Sequence, residues 1–153
     1  KPMPDLPGVG KLDQKLVDTA VAEINRLHRV KKIEAVQAMG EYVVKTFFND
    51  NFAHFHAHGR KHASFRALAK RKDLSVGYVT IRNAVAFVEQ LKMLPAKFAT
   101  ALPMSHHRAL LPLSTAEDKK ALAEKAVEKD LSKRDLEAEV RKFRSKAGAK
   151  RGP

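Results

Sequence analysis

The sequence contains no cysteine, which excludes disulfides and thiolate metal ligands. No apolar run approaches the ~18 residues of a membrane-spanning helix, and no signal-peptide pattern opens the chain. Acidic residues are scarce, 17 against 30 Lys and Arg, leaving a formal net charge of +13 on 153 residues. There is no glycine-rich phosphate loop, nucleophile elbow or HExxH spacing, so no enzyme class is indicated and no cofactor is expected. Strand-like alternation of apolar and polar residues is also missing. What remains is an all-α chain with no membrane partner, of the kind found in a reducing, cytoplasmic compartment.

Hydrophobic residues make up 44% of the chain, enough to argue against wholesale disorder at this length. The basic excess is not evenly spread. Residues 1–59 hold 8 basic and 7 acidic side chains, residues 60–112 hold 10 and 2, and residues 113–153 hold 12 and 8. A concentrated positive charge favours a polyanion, whose binding is driven by counterion release.

That charge falls on the stretch FRALAKRKDLSVGYVTIRN, residues 65–83. Phe65, Leu68 and Ala69 give Phe65–Arg71 one apolar face at helical spacing. Lys72, Asp73 and Leu74 read as a turn, and Ser75 as the N-cap of a second helix that continues to Lys92 through Ile81, Val85, Val88 and Leu91. Two helices joined by a tight turn make a helix-turn-helix. An ordinary helical hairpin with a solvated basic face has the same spacing.

Around it, residues 1–12 are predicted to be an extended linker, since KPMPDLPGVG carries three prolines and two glycines. Residues 13–63 are predicted to form a helical scaffold and a possible dimerisation region. One helix there runs from Asp13 to Arg29 with a stripe of Leu16, Val17, Ala20, Val21, Ile24 and Leu27; a second runs from Ile33 to Asn49. His54, His56, His58 and His62 invite a metal reading, but no carboxylate lies between Asp50 and Asp73 to complete a site. A polar loop with Phe52 and Phe55 turned inward is the expectation, and no metal is assigned.

Residues 64–143 are predicted to be the DNA-binding domain. Pro95 ends the second helix of the hairpin, Ser105 is read as the cap of a helix bearing His106 and His107, and Ser114 to Glu117 as a capping box. Leu131 and Ser132 open a last helix through Leu136, Val140 and Phe143, and residues 144–153 close the chain as a basic tail. From Arg141 on there are six basic residues and no acid.

From Phe65 to Val140 these motifs resemble the DNA-binding region of the ParB family of chromosome- and plasmid-partition proteins. LAKRKDLSVGYVTIRNAVAFVEQLKMLP is similar to that family's helix-turn-helix and its Leu-Pro exit. SHHRALL resembles its G-H-A-R-A-L-L element, with His106 and Arg108 on matching positions, and LAEKAVEKDLSKRDLEAEVRK its final helix pair. Val76 and Gly77 stand where the family has an arginine and a serine, and nothing here resembles its nucleotide-binding domain. The N-terminal helices are in turn similar to a helical region that precedes a nuclease domain in a family of unassigned function, though no nuclease core follows here.

The resemblance implies a site-specific binder of double-stranded DNA, associated with the nucleoid and acting in segregation, transcription or mobile-element control. Ser75, Tyr78 and Thr80 are then placed in the groove, with Tyr78 and Val79 open to a core-facing alternative. Arg66, Lys70, Arg71, Lys72 and Arg82, with Arg108, Lys133 and Arg134, are placed on phosphates. The competing class is a helical adaptor that binds protein or RNA through a basic surface, or forms a homodimer through its N-terminal helices.

Overall fold

The computed structural model describes the backbone of residues 10–30, 33–59 and 61–151, and side chains as far as residue 145 with Val30 excepted. Residues 1–9 of the expected linker, and the side chains of most of the basic tail, lie outside the described residues. Among the described residues there are nine helices and no strand, so the all-α expectation holds. The chain divides into two compact units, Lys1–Val85 and Ala86–Pro153.

The first unit holds α1 (Gln14–Val30), α2 (Ile33–Phe48), α3 (Phe52–His58), α4 (Ala63–Lys70) and the beginning of α5 (Tyr78–Met93). The stripes read from the sequence become its core: Val17, Ala20, Ile24, Val43, Phe47, Phe48, Phe65, Leu68, Ile81 and Val85 are all buried. Helix α1 packs on both α2 and α4. The inner faces of α1 and α2 are thus covered within the unit itself. Four phenylalanines interlock at its centre, with Phe48 edge-on to Phe55 at 5.2 Å and to Phe65 at 5.3 Å. Each such pair adds about 0.5–1.5 kcal/mol beyond the area it buries.

The histidine-rich stretch departs from expectation. Residues 52–58 are a helix, not a polar loop. Its cause is the sequence just before it: Asn49 and Asp50 both adopt left-handed backbone, with φ of 54° and 59°, a region Asn and Asp tolerate. They reverse the chain at the end of α2. The Asn51 side chain then accepts the backbone N–H of His54, capping α3. Helical spacing stacks His54 on His58, with ring centroids 5.6 Å apart, while Phe55 is buried and Phe52 packs on the core, as predicted. No cluster of metal-ligating side chains forms among the described residues.

The second unit holds the rest of α5, α6 (Lys97–Ala101), α7 (Met104–Leu110), α8 (Ala116–Glu128) and α9 (Lys133–Arg151). Its core comprises Leu94, Phe98, Leu102, Leu110, Leu122, Leu136 and Val140. Two caps shift from their predicted residues. Helix α7 begins after Pro103, so Ser105 sits inside it and turns its hydroxyl to the His106 ring. For α8 the cap is Thr115, which accepts the backbone N–H of Asp118 at 3.1 Å, rather than Ser114. Ser132 accepts from the Asp135 N–H and opens α9 as read from the sequence.

His106 and His107, adjacent in sequence, serve different ends. The His106 Nε2 lies 2.7 Å from the Leu131 carbonyl, tying α7 to the α8–α9 turn. His107 is wholly buried and edge-on to Phe87 at 5.1 Å.

Candidate nucleic-acid interface

The hairpin of α4 and α5 differs in one respect from its sequence pattern. Helix α5 starts at Tyr78, two residues later than predicted from a cap at Ser75, and Ser75 is not its N-cap. Residues 71–77 form a longer connection in which Leu74 and Val76 are buried while Lys72, Asp73, Ser75 and Gly77 are exposed. The two anchored apolar side chains hold the segment down, and helix begins only once they are seated. Val76, at the position where the ParB resemblance has an arginine, therefore faces the core.

Beyond the connection, the first turn of α5 offers a small exposed surface. Val79 is 56% exposed, and Thr80 and Arg82 are exposed beside it. Tyr78 is only half-buried but packs on the core, its ring 6.0 Å from that of Phe65. Of the three residues placed in the groove from the sequence, Thr80 stands on the exposed start of the helix, Ser75 precedes it, and Tyr78 turns inward. Val79, which sequence reasoning left between core and surface, is outward.

The cations sort into two groups. Arg66 and Lys70 on α4, Lys72 in the connection and Arg82 on α5 are exposed, and no ion pair or side-chain hydrogen bond to the described residues holds any of them. Arg71 is different. Its Nε and Nη2 donate to the two carboxylate oxygens of Asp73 at 2.9 and 2.8 Å, and its Nη1 donates to Asp18 of α1 at 2.6 Å. Those bonds hold the carboxyls of Asp18 and Asp73 below their usual range and raise the guanidinium further still. Asp18 had no signal in the sequence, where it reads as one more charge on a solvated helix face. In the second unit Arg108 on α7 and Lys133 and Arg134 on α9 are each exposed.

Inside the second unit lies a polar group that the sequence reading also missed. Lys119 is only 4% exposed, yet its ammonium donates to Gln90 Oε1 at 2.6 Å and to the Leu110 carbonyl at 3.0 Å. Gln90, also buried, donates from Nε2 to the His107 carbonyl at 2.8 Å. Lys119 thus closes the C-terminal end of α7, where a cation is favourable. Burial brings its pKa down to about 8, with the charge of Glu89 acting in the opposite sense. A signal was present: Lys119 shares the helical register of Leu122, Ala123 and Ala126, the buried face of α8.

Residues 79–145 match the family model of the ParB HTH domain. The match begins one residue into α5 and runs into α9, so it covers the first exposed turn of α5 and nearly all of the second unit. The ParB-type resemblance read from the motifs is thereby borne out over less than half of the chain, and what it brings is a DNA-binding helix-turn-helix region. Helix α4, the connection and the N-terminal helices lie outside it. No curated protein and no solved structure matches the chain.

Proposed function

We propose that this chain is a non-enzymatic, site-specific binder of double-stranded DNA. The start of α5 enters the major groove, where each base pair presents a distinct edge. Thr80 faces those edges, with Val79 beside it. Arg66, Lys70, Lys72 and Arg82 hold flanking phosphates and set register. Arg108, Lys133 and Arg134 give the second unit its own exposed cations for the same purpose. A role in DNA segregation, transcription regulation or mobile-element control follows from such binding, in a cytoplasmic, nucleoid-associated setting.

The observation that carries this reading is the set of exposed cations, Arg66, Lys70, Lys72 and Arg82, held by no partner among the described residues and carried on α4, the connection and the start of the helix that opens the ParB-type match. Cations kept only for solubility need not gather where a helix-turn-helix presents its second helix. A titration of the full chain against random-sequence duplex at increasing salt tests it. With about six phosphates neutralised, the logarithm of the affinity falls against the logarithm of salt with a slope near −5. Failure to bind duplex at low salt removes the reading. Affinity indifferent to salt points instead to a protein partner, the adaptor class.

A further inference from the structure

The connection ahead of α5 is held from outside, by two residues of α1. Asp18 and Asn25 are seven residues apart, about two helical turns, and so share one side of that helix. Asn25 Nδ2 donates to the Asp73 carbonyl at 2.7 Å, and its Oδ1 accepts the Ser75 N–H at 2.6 Å. A single side-chain amide therefore closes the bend on both sides of Leu74. Arg71 spans the same bend, gripping Asp73 with two nitrogens and Asp18 with a third.

These contacts lie near the surface: the side chains of Asp18 and Asp73 are 57% and 56% exposed. Ion pairs so exposed contribute little to global stability. Their effect is directional instead. Between Arg71 and Gly77 only Leu74 and Val76 are anchored by burial, and neither fixes how the exposed residues between and after them are presented. The two backbone bonds from Asn25 and the planar fork of Arg71 do fix it, two residues before Gly77 and five before Thr80.

Resting on the DNA-binding reading, we propose that α1 is part of the reading device: Asn25 and the Asp18–Arg71 pair are positioning residues that set the entry of α5 into the groove. Arg71 acts through the bend and is not itself a phosphate ligand. The element that positions the reader lies wholly outside the ParB-type match, which starts at residue 79. A guanidinium committed to two carboxylates must give up three charge-assisted bonds to reach a phosphate, whereas Lys70 and Lys72 on either side of it have none to give up among the described residues.

The test uses the full chain, a duplex selected from a random library and a scrambled control. Isotherms for wild type, Asn25→Ala and Arg71→Gln are measured on both duplexes over a range of salt. Each variant is expected to lower the selected-to-scrambled affinity ratio by about fivefold or more, as a loss of coupling between distant groups does. The salt slope is expected to stay unchanged. Arg71→Lys is expected not to rescue the ratio, because an ammonium cannot reproduce the fork. Asn25→Asp keeps the acceptor for Ser75 and loses the donor to Asp73; it takes the place of the alanine variant should that one fail to fold.

An Arg71→Gln protein that weakens on both duplexes alike, with a slope flatter by about one, identifies Arg71 as a phosphate ligand and overturns the proposal. So does an Asn25→Ala protein with an unaltered ratio. In both cases the wild type still binds duplex, and the DNA reading stands. A wild type that binds no duplex at low salt ends both.

Discussion

The ammonium of Lys119 sits 2.6 Å from the side-chain oxygen of Gln90, buried between α5, α7 and α8. Both partners belong to the second unit, and the pair joins the end of α7 to the helix that opens the ParB-type match. A charge in such a place is costly unless its donors are satisfied, and here two carbonyls and an amide oxygen surround it.

Lys119 gives a pH dependence with a definite sign. Its pKa is about 8 in the fold, against 10.5 for an ordinary lysine. Between those values the unfolded chain binds more protons than the folded one, so stability rises as pH increases from 8 to 10.5 and is level below. Lys119→Met is expected to lose this rise. The measurement is the difference between the two proteins' denaturant midpoints at several pH values across that window; a difference constant with pH contradicts the assignment.

His62 gives a second, at acid pH. Its Nδ1 accepts the Phe65 N–H at 3.2 Å and caps α4, the first helix of the hairpin. The ring lies among Phe47, Phe48 and His58, and burial holds it below its usual value, the nearby charge of His58 acting in the same direction. Only neutral imidazole can accept at Nδ1. The stability it confers is complete above pH ~6.5 and declines as pH falls from there toward the lower folded value. His62→Asn retains a cap that does not titrate, so its stability is expected to decline less than that of the wild type from pH 7 to 5. Parallel thermal melts across that range decide it.

The two hydroxyl residues read as caps in the sequence should differ in their cost. Thr115 caps α8, and Thr115→Ala is expected to lower stability by about 1 kcal/mol. Ser75 contributes its backbone N–H to Asn25, a bond that alanine keeps, so Ser75→Ala is expected to stay within about 0.5 kcal/mol of wild type. Urea titrations of both variants measure this. Equal losses would restore Ser75 to the cap that its place in the sequence suggests.

How far the sequence was legible follows from what kind of force acts at each point. Helices α1 and α2 were readable to within a residue or two because their stripes, such as Val17, Ala20 and Ile24, are also the core. Short-range signals were less secure where a distant residue competed for the same backbone group. Ser75 has the local chemistry of a cap, but its amide is taken by Asn25, fifty residues earlier, while buried Leu74 and Val76 keep the segment out of helix. Helix α3 was missed because four histidines masked a cap and an apolar pair, Asn51 with Phe52 and Phe55. The candidate cations were visible as a charge concentration, but nothing in composition could separate Arg71, committed to two aspartates, from Lys70 and Lys72 on either side of it. That distinction exists only once α1 is folded against α4.

The central claim, that the start of α5 reads bases while its neighbours hold phosphates, is tested most directly by paired isotherms for Thr80→Ala and Lys70→Ala. Each is measured on the selected duplex and on a scrambled one. Thr80 is exposed on the third residue of α5; its loss is expected to cost about 1–3 kcal/mol on the selected duplex alone, with the relaxed preference confined to one base pair. Lys70, on α4 and held by no partner among the described residues, is expected to weaken both duplexes equally and to flatten the salt slope by about one. If Thr80→Ala leaves the ratio of the two affinities unchanged while Lys70→Ala alters it, this helix does not lie in the groove.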